Sequence, residues 1–218
     1  MSNPGHRAGL ARIAARLVLA LTALLTTGCG GVAGSPSVTP VMVEAITPEP
    51  FGVRDTAYSP ARPAPALRLT DQDGKPFDLT SVRGRPVFVY FGYTHCPDVC
   101  PTSLAELRTG IKASGVDATV VFITVDPARD DPAAMKQYVD YYQAGFIGLT
   151  GTDAEVAEAA VAWGVSYRRL ESTSASGYAM AHSAEAYLVD SEGVLRHHLF
   201  FGAPADLIAQ RLREVTGG

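Results

Sequence analysis

Apolar positions divide the chain into three stretches. The first 28 residues hold one short apolar run, Leu17 to Leu25 (LVLALTALL), and residues 29–65 show no sustained periodicity. From residue 66 onward, apolar runs alternate with stretches of helical spacing. Pro86–Tyr93 (PVFVYFGY) and Ala118–Val125 (ATVVFITV) are nearly continuous β-branched and aromatic runs, the pattern of strands buried on both faces. Leu67–Leu69 and Pro76–Leu79 flank the polar turn Asp71–Gly74 and predict a hairpin. Leu104, Leu107 and Ile111 predict a helix over Pro101–Ile111. Asp131 is the N-cap of the next helix, with Pro132 at its first position. Phe146–Leu149 is a short strand, and a capping box over Thr152–Glu155 opens a helix that runs to about Trp163. Val165–Leu170 is extended. Glu185–Val189 and Val194–Phe201 form a hairpin about Asp190–Gly193, and Pro204–Val215 is the last helix. This alternation predicts an α/β sandwich with a largely parallel central sheet and an antiparallel edge, in one domain over residues 66–218.

The other two stretches have distinct compositions. Residues 1–28 carry Arg7, Arg12 and Arg16, no acid, the short apolar run and a small-residue end, which together describe an export signal. The run is shorter than the roughly 20 residues that span a bilayer. Cys29 directly after it resembles the acylated cysteine of a bacterial lipobox, with Leu25 one place earlier than usual and Thr26 in its place. Cys29 is then the lipidation site, and the protein is expected on the outer side of the cell membrane, held by an N-terminal lipid. Residues 29–65 are rich in Pro, Gly, Ser and Thr and form a tether. Its later part, Phe51–Pro65, can pack on the domain as an extended arm.

Hydrophobic residues make up 47% of the 218, which excludes wholesale disorder. Three cysteines are too few for a disulfide scaffold. Beyond the signal, 15 basic residues face 22 acidic ones. So acidic a chain has no electrostatic footprint for nucleic acid.

Chemistry concentrates in Phe91–Pro101 (FGYTHCPDVCP), where a buried strand meets a helix. The carboxyl ends of strands are where open α/β sheets bind ligands. Cys96 and Cys100, four residues apart, fall on one face if helical. They can close a disulfide or grip one soft metal ion, and a helix N-terminus favours their thiolates. Two thiolates leave a coordination sphere incomplete. His6 lies in the signal and His95 adjoins Cys96. His197 and His198 lie mid-strand, where at least one should face solvent. His182 follows the Ser/Gly-rich loop Glu171–Gly177, which could deliver its imidazole to the dithiol; on spacing alone it is a candidate and no more. Asp98, between the cysteines, could bias metal affinity or docking, or simply favour the helix dipole. Asp126, at the end of a central strand, could orient the site from behind or serve only the turn before Pro127.

The stretch FGYTHCPDVCPTSLAEL (Phe91–Leu107) closely resembles the Sco/SenC family of copper-binding assembly factors for cytochrome c oxidase. The likeness continues through Val125–Asp130, Gly148–Thr152 and Tyr178–Ser183 before Tyr187–Asp190. It implies a thioredoxin-like fold, a central mixed sheet flanked by helices with an N-terminal hairpin. It also implies copper, as Cu(I) or Cu(II), on Cys96, Cys100 and His182. The implied partners are the copper-site subunit of the oxidase and an upstream copper donor, and the implied activity is that of a metallochaperone.

Two other functions compete. A thiol–disulfide oxidoreductase could use Cys96 and Cys100 as catalytic residues to reduce the cysteines of the oxidase copper site. The spacing is C-x-x-x-C, not the redox C-x-x-C, and no proline lies between Pro132 and Pro204 to stand opposite the motif, where thioredoxins place one. A zinc site would want a fourth ligand that the sequence does not offer.

Overall fold

The computed structural model describes residues 54–142, 145–171 and 177–217. The export signal, Cys29 and most of the tether lie outside the described residues. The elements run β1 (Asp55–Pro63), β2 (Arg68–Asp71), β3 (Pro76–Asp78), β4 (Val87–Gly92), α1 (Val99–Ser114), β5 (Thr119–Thr124), α2 (Pro132–Asp140), β6 (Ile147–Thr150), α3 (Asp153–Trp163), β7 (Tyr167–Glu171), β8 (Tyr178–His182), β9 (Ala186–Val189), β10 (Val194–Leu199) and α4 (Ala205–Thr216).

The apolar runs become the centre of the sheet. Every residue of β4 and β5 is buried, because strands flanked on both sides and covered on both faces expose no side chain to water. The sheet order is β1-β10-β9-β4-β5-β6-β2-β3. Only β4–β5 and β5–β6 are parallel; the pairings that extend the sheet on either side are antiparallel. The sheet is therefore mixed, as the family resemblance implies, and parallel at its centre. Alternation of strand and helix constrains the middle strands, whereas the hairpins at both ends add antiparallel neighbours.

The helices start where their caps predict. Asp131 accepts from the backbone N–H of Ala134 at 2.8 Å, and Thr152 and Glu155 form the reciprocal capping box. α1 packs against α4 at Gly110, where a Cβ would lie 2.5 Å from the Ile208 side chain. Among the described residues no helix is long and apolar enough to cross a membrane.

At one edge, residues 55–63, in the part of the tether expected as an extended arm, form β1 and pair with β10 from Asp55↔Leu199 to Pro63↔Val194. Prolines are compatible with this edge position because only one side of the strand must hydrogen-bond. His197 and His198 are both partly buried, with side chains 12% and 22% exposed. β1 covers their strand, and an irregularity in the β9–β10 register between Leu195 and His197 breaks the simple alternation.

Candidate metal centre

The site sits at the carboxyl end of β4. After Gly92 the chain turns, with Cys96 N–H donating to the Tyr93 carbonyl at 3.2 Å. The turn is pinned from beneath by Asp130, which is fully buried. Its carboxylate accepts from Thr94 N–H at 2.9 Å, from the Thr94 hydroxyl at 2.6 Å and from the Thr124 hydroxyl at 2.6 Å. A buried carboxylate so fully hydrogen-bonded makes the loop rigid. The only sequence signal for Asp130 is its place in the Val125–Asp130 stretch.

α1 begins at Val99, so Cys96 precedes the helix and Cys100 lies in its first turn. The two cysteines are thus not on one continuous helix face, as their spacing suggests. They meet because Cys96 folds back over the helix start, where the Cys100 N–H donates to its sulfur at 3.4 Å. Both cysteines are free; Cys100 is buried and Cys96 half-buried. A hydrogen bond from the Cys100 thiol is the main influence lowering the Cys96 pKa, and it outweighs burial. The backbone N–H groups of Cys100 and Asp98 act in the same direction. Cys100 is pushed up by Cys96 and by burial. Cys96 is therefore the thiolate of the pair. Gly92 makes room for Cys100, since a Cβ there would lie 2.8 Å from its sulfur and 2.7 Å from the Phe122 ring.

His182 comes from the other side. It ends β8, which pairs with β7 in a two-stranded sheet of its own, in register Tyr167↔His182 to Glu171↔Tyr178. The imidazole is therefore carried by a strand, not by a flexible loop; residues 172–176 lie outside the described residues. Nδ1 lies 2.9 Å from the Ser183 carbonyl. A carbonyl only accepts, so Nδ1 carries the proton and the Nε2 lone pair is free. Nε2 lies 3.3 Å from Cys100 Sγ. The rings of Tyr93 and Tyr90 stand edge-on to the imidazole, at centroid distances of 5.8 and 6.5 Å.

Sγ of Cys96, Sγ of Cys100 and one imidazole nitrogen of His182 all lie within 4.8 Å of one another. Two thiolates and one neutral imidazole form a donor set for copper, with thiolate favouring Cu(I) and imidazole suited to Cu(II). Among the described residues this is the one such cluster of histidine, cysteine or acidic side chains. The two acids singled out in the sequence occupy different places. The Asp98 side chain is exposed, makes no cap and accepts only from the Thr102 hydroxyl at 3.5 Å. Asp126 is buried and accepts from the Tyr178 hydroxyl at 2.7 Å, at the far end of the strand that carries His182. His95 points toward Asp130, 3.7 Å from its carboxylate.

Known proteins resemble this chain in sequence and in fold. The family model described as SCO1/SenC matches residues 56–217. An SCO2-like protein of Rickettsia conorii is 35% identical over 147 residues, 65% of this chain and 72% of that protein. Among solved structures, Bradyrhizobium japonicum ScoI with copper bound is 37% identical, with a TM-score of 0.61, over 69% of this chain and 97% of that one. Arabidopsis thaliana ScoI with copper bound is 31% identical, with a TM-score of 0.66, over 70% and 96%.

Proposed function

The chain belongs to the SCO1/SenC family, and from that premise we propose that it binds copper through Cys96, Cys100 and His182 and delivers it to the dinuclear copper site of cytochrome c oxidase. The convergence of two sulfurs and one imidazole nitrogen within 4.8 Å carries this reading. The thiolates hold Cu(I), and the imidazole adds the third donor that Cu(II) favours. Three ligands leave part of the coordination sphere open. Cys96 and His182 are only partly buried, so an incoming partner thiolate can displace one ligand at a time. The protein receives its copper from an upstream donor and works on the outer side of the cell membrane, anchored by a lipid on Cys29.

One observation favours a second reading. The lowered Cys96 pKa beside the Cys100 thiol is also the arrangement of a disulfide reductant. The Cys96 thiolate would attack one sulfur of a disulfide in the oxidase subunit and form a mixed disulfide. Cys100, losing its proton, would then displace the subunit's sulfur, leaving a reduced subunit and a Cys96–Cys100 disulfide. Two mixtures separate the readings: the copper-loaded protein with the reduced, metal-free copper-site domain of an oxidase subunit, and the reduced, metal-free protein with the oxidised domain. Transfer of copper in the first mixture supports the first reading; no transfer there, with reduction of the disulfide in the second, supports the second and overturns the first.

A further inference from the structure

The strand that brings His182 to the cysteines belongs to a two-stranded sheet outside the main one. Such a hairpin is marginal by itself and takes its position from what holds its ends. At its base, Ser183 N–H donates to the Ser166 carbonyl at 2.9 Å. At the other end of β8 stands Tyr178. Side chains alternate along a strand, so Tyr178, Met180 and His182 share one face. His182 reaches Cys100 at one end of this row. At the other, the Tyr178 hydroxyl donates to Oδ1 of Asp126 at 2.7 Å.

The Tyr178 end is built with unusual redundancy. Arg129 pairs with the second carboxylate oxygen of Asp126 and donates from Nη1 to the Tyr178 carbonyl at 3.0 Å. The same guanidinium lies 3.7 Å from the centroid of the Tyr178 ring, and that of Arg169, on β7, lies 3.8 Å from it. Nη2 of Arg129 is buried without a hydrogen-bond partner. Its charge faces the phenol π-system instead. Asp126 lies two residues beyond the end of β5, a central strand, so the cluster ties the free end of the hairpin to the rigid core.

We propose that Tyr178 is a positioning residue for His182. Clamped by Asp126, Arg129 and Arg169, it fixes the hairpin so that the imidazole stands over the cysteine pair, although it touches neither sulfur. The inference rests on the copper reading above and deepens it: the clamp sets how firmly the third ligand is held. Loosening it should weaken Cu(II), which needs the imidazole. Cu(I), held by the two thiolates, should be little affected.

The test uses the full chain with Tyr178→Phe, which removes the hydroxyl and keeps the ring, and Arg169→Ala, an exposed change that cannot disturb the core. His182→Ala is the reference. Cu(II) is titrated with visible absorption and electron paramagnetic resonance as readouts, Cu(I) by competition with a chelator, and thermal melting is recorded alongside. Removing outer contacts of a ligand commonly costs about 10–100-fold in affinity. Tyr178→Phe is expected to weaken Cu(II) about tenfold and alter its spectrum toward that of His182→Ala, with Cu(I) affinity unchanged within about twofold. Arg169→Ala should shift in the same direction by less. If His182→Ala loses Cu(II) while both clamp variants match the parent, the clamp is refuted and the copper reading stands. An equal loss of Cu(I) and Cu(II) with a lowered melting temperature would reduce Tyr178 to a structural role and also refutes it. Unchanged Cu(II) in His182→Ala overturns the ligand assignment and the clamp with it.

Discussion

Nε2 of His182 lies 3.3 Å from Sγ of Cys100, across 82 residues of chain. The ring is already oriented: Nδ1–H is given to the Ser183 carbonyl, and Tyr90 and Tyr93 flank the imidazole edge-on. A ligand held this way loses little rotamer freedom when it captures an ion, so less of the binding energy is spent on ordering.

His182→Ala is expected to weaken Cu(II) binding by at least about 100-fold, since removing a ligand costs more than the roughly 10–100-fold lost with an outer partner of one. The fold should survive, because β8 pairs only with β7 and His182 is outside the buried core. The stability change should stay below about 1 kcal/mol, as for other substitutions away from cores. Metal titration and urea denaturation of the same variant check both halves.

Oxidation should abolish uptake. The two sulfurs lie within 4.8 Å, and closing them to the roughly 2.05 Å of a disulfide consumes both thiolates. Copper per protein after desalting should approach one equivalent in reduced samples and fall to background in oxidised ones. Alkylation of the reduced, metal-free protein should mark Cys96 before Cys100, since Cys96 is half-buried and ionised whereas Cys100 is buried and protonated.

The parts of the fold visible in the sequence are those where one local rule dominates. Burial on both faces writes β4 and β5 as apolar runs, and the caps at Asp131 and Thr152 mark helix starts because those side chains bond their own backbone. β1 is hidden because Asp55–Pro63 carries two prolines and few apolar residues; as an edge strand it needs neither full pairing nor burial. The cysteine pair is visible as a motif, but its geometry is not, since Cys96 lies outside the helix. The placement of His182 depends on the Asp126–Tyr178 contact, made between residues 52 apart in the chain, and no periodicity encodes such a meeting. The role of Asp130 is hidden for the same reason: its three hydroxyl and amide donors are gathered only by folding.

Gly92→Ala should damage site and core together. The new methyl would sit 2.8 Å from the Cys100 sulfur and 2.7 Å from the Phe122 ring, and neither neighbour is a flexible chain end. Overpacking of this kind costs about 1–3 kcal/mol. The midpoint of urea denaturation should fall accordingly. Copper(I) affinity should fall as well, because the Cys100 sulfur must leave its present place at the site to make room.

Acidification should loosen the β1 edge in two steps. His197 on β10 lies 3.3 Å from Asp55 on β1 and faces Arg211 and Glu214 of α4. Burial, then the Arg211 charge, depress its pKa below the ordinary imidazole value, against the attraction of Asp55 and Glu214. A depressed imidazole binds fewer protons folded than unfolded between its folded pKa and about 6.5, so stability falls as pH drops through that window. Burial opposes ionisation of Asp55, but the hydrogen bond and charge of Arg211 outweigh it and lower its pKa. Its contribution is present above about pH 4 and lost below it. Metal-free protein should therefore show a denaturation midpoint that declines as pH falls below about 6.5, and a second decline below about pH 4. His197→Gln, which cannot titrate, should flatten the first decline and leave the second. An unchanged first decline in that variant would assign it to another group.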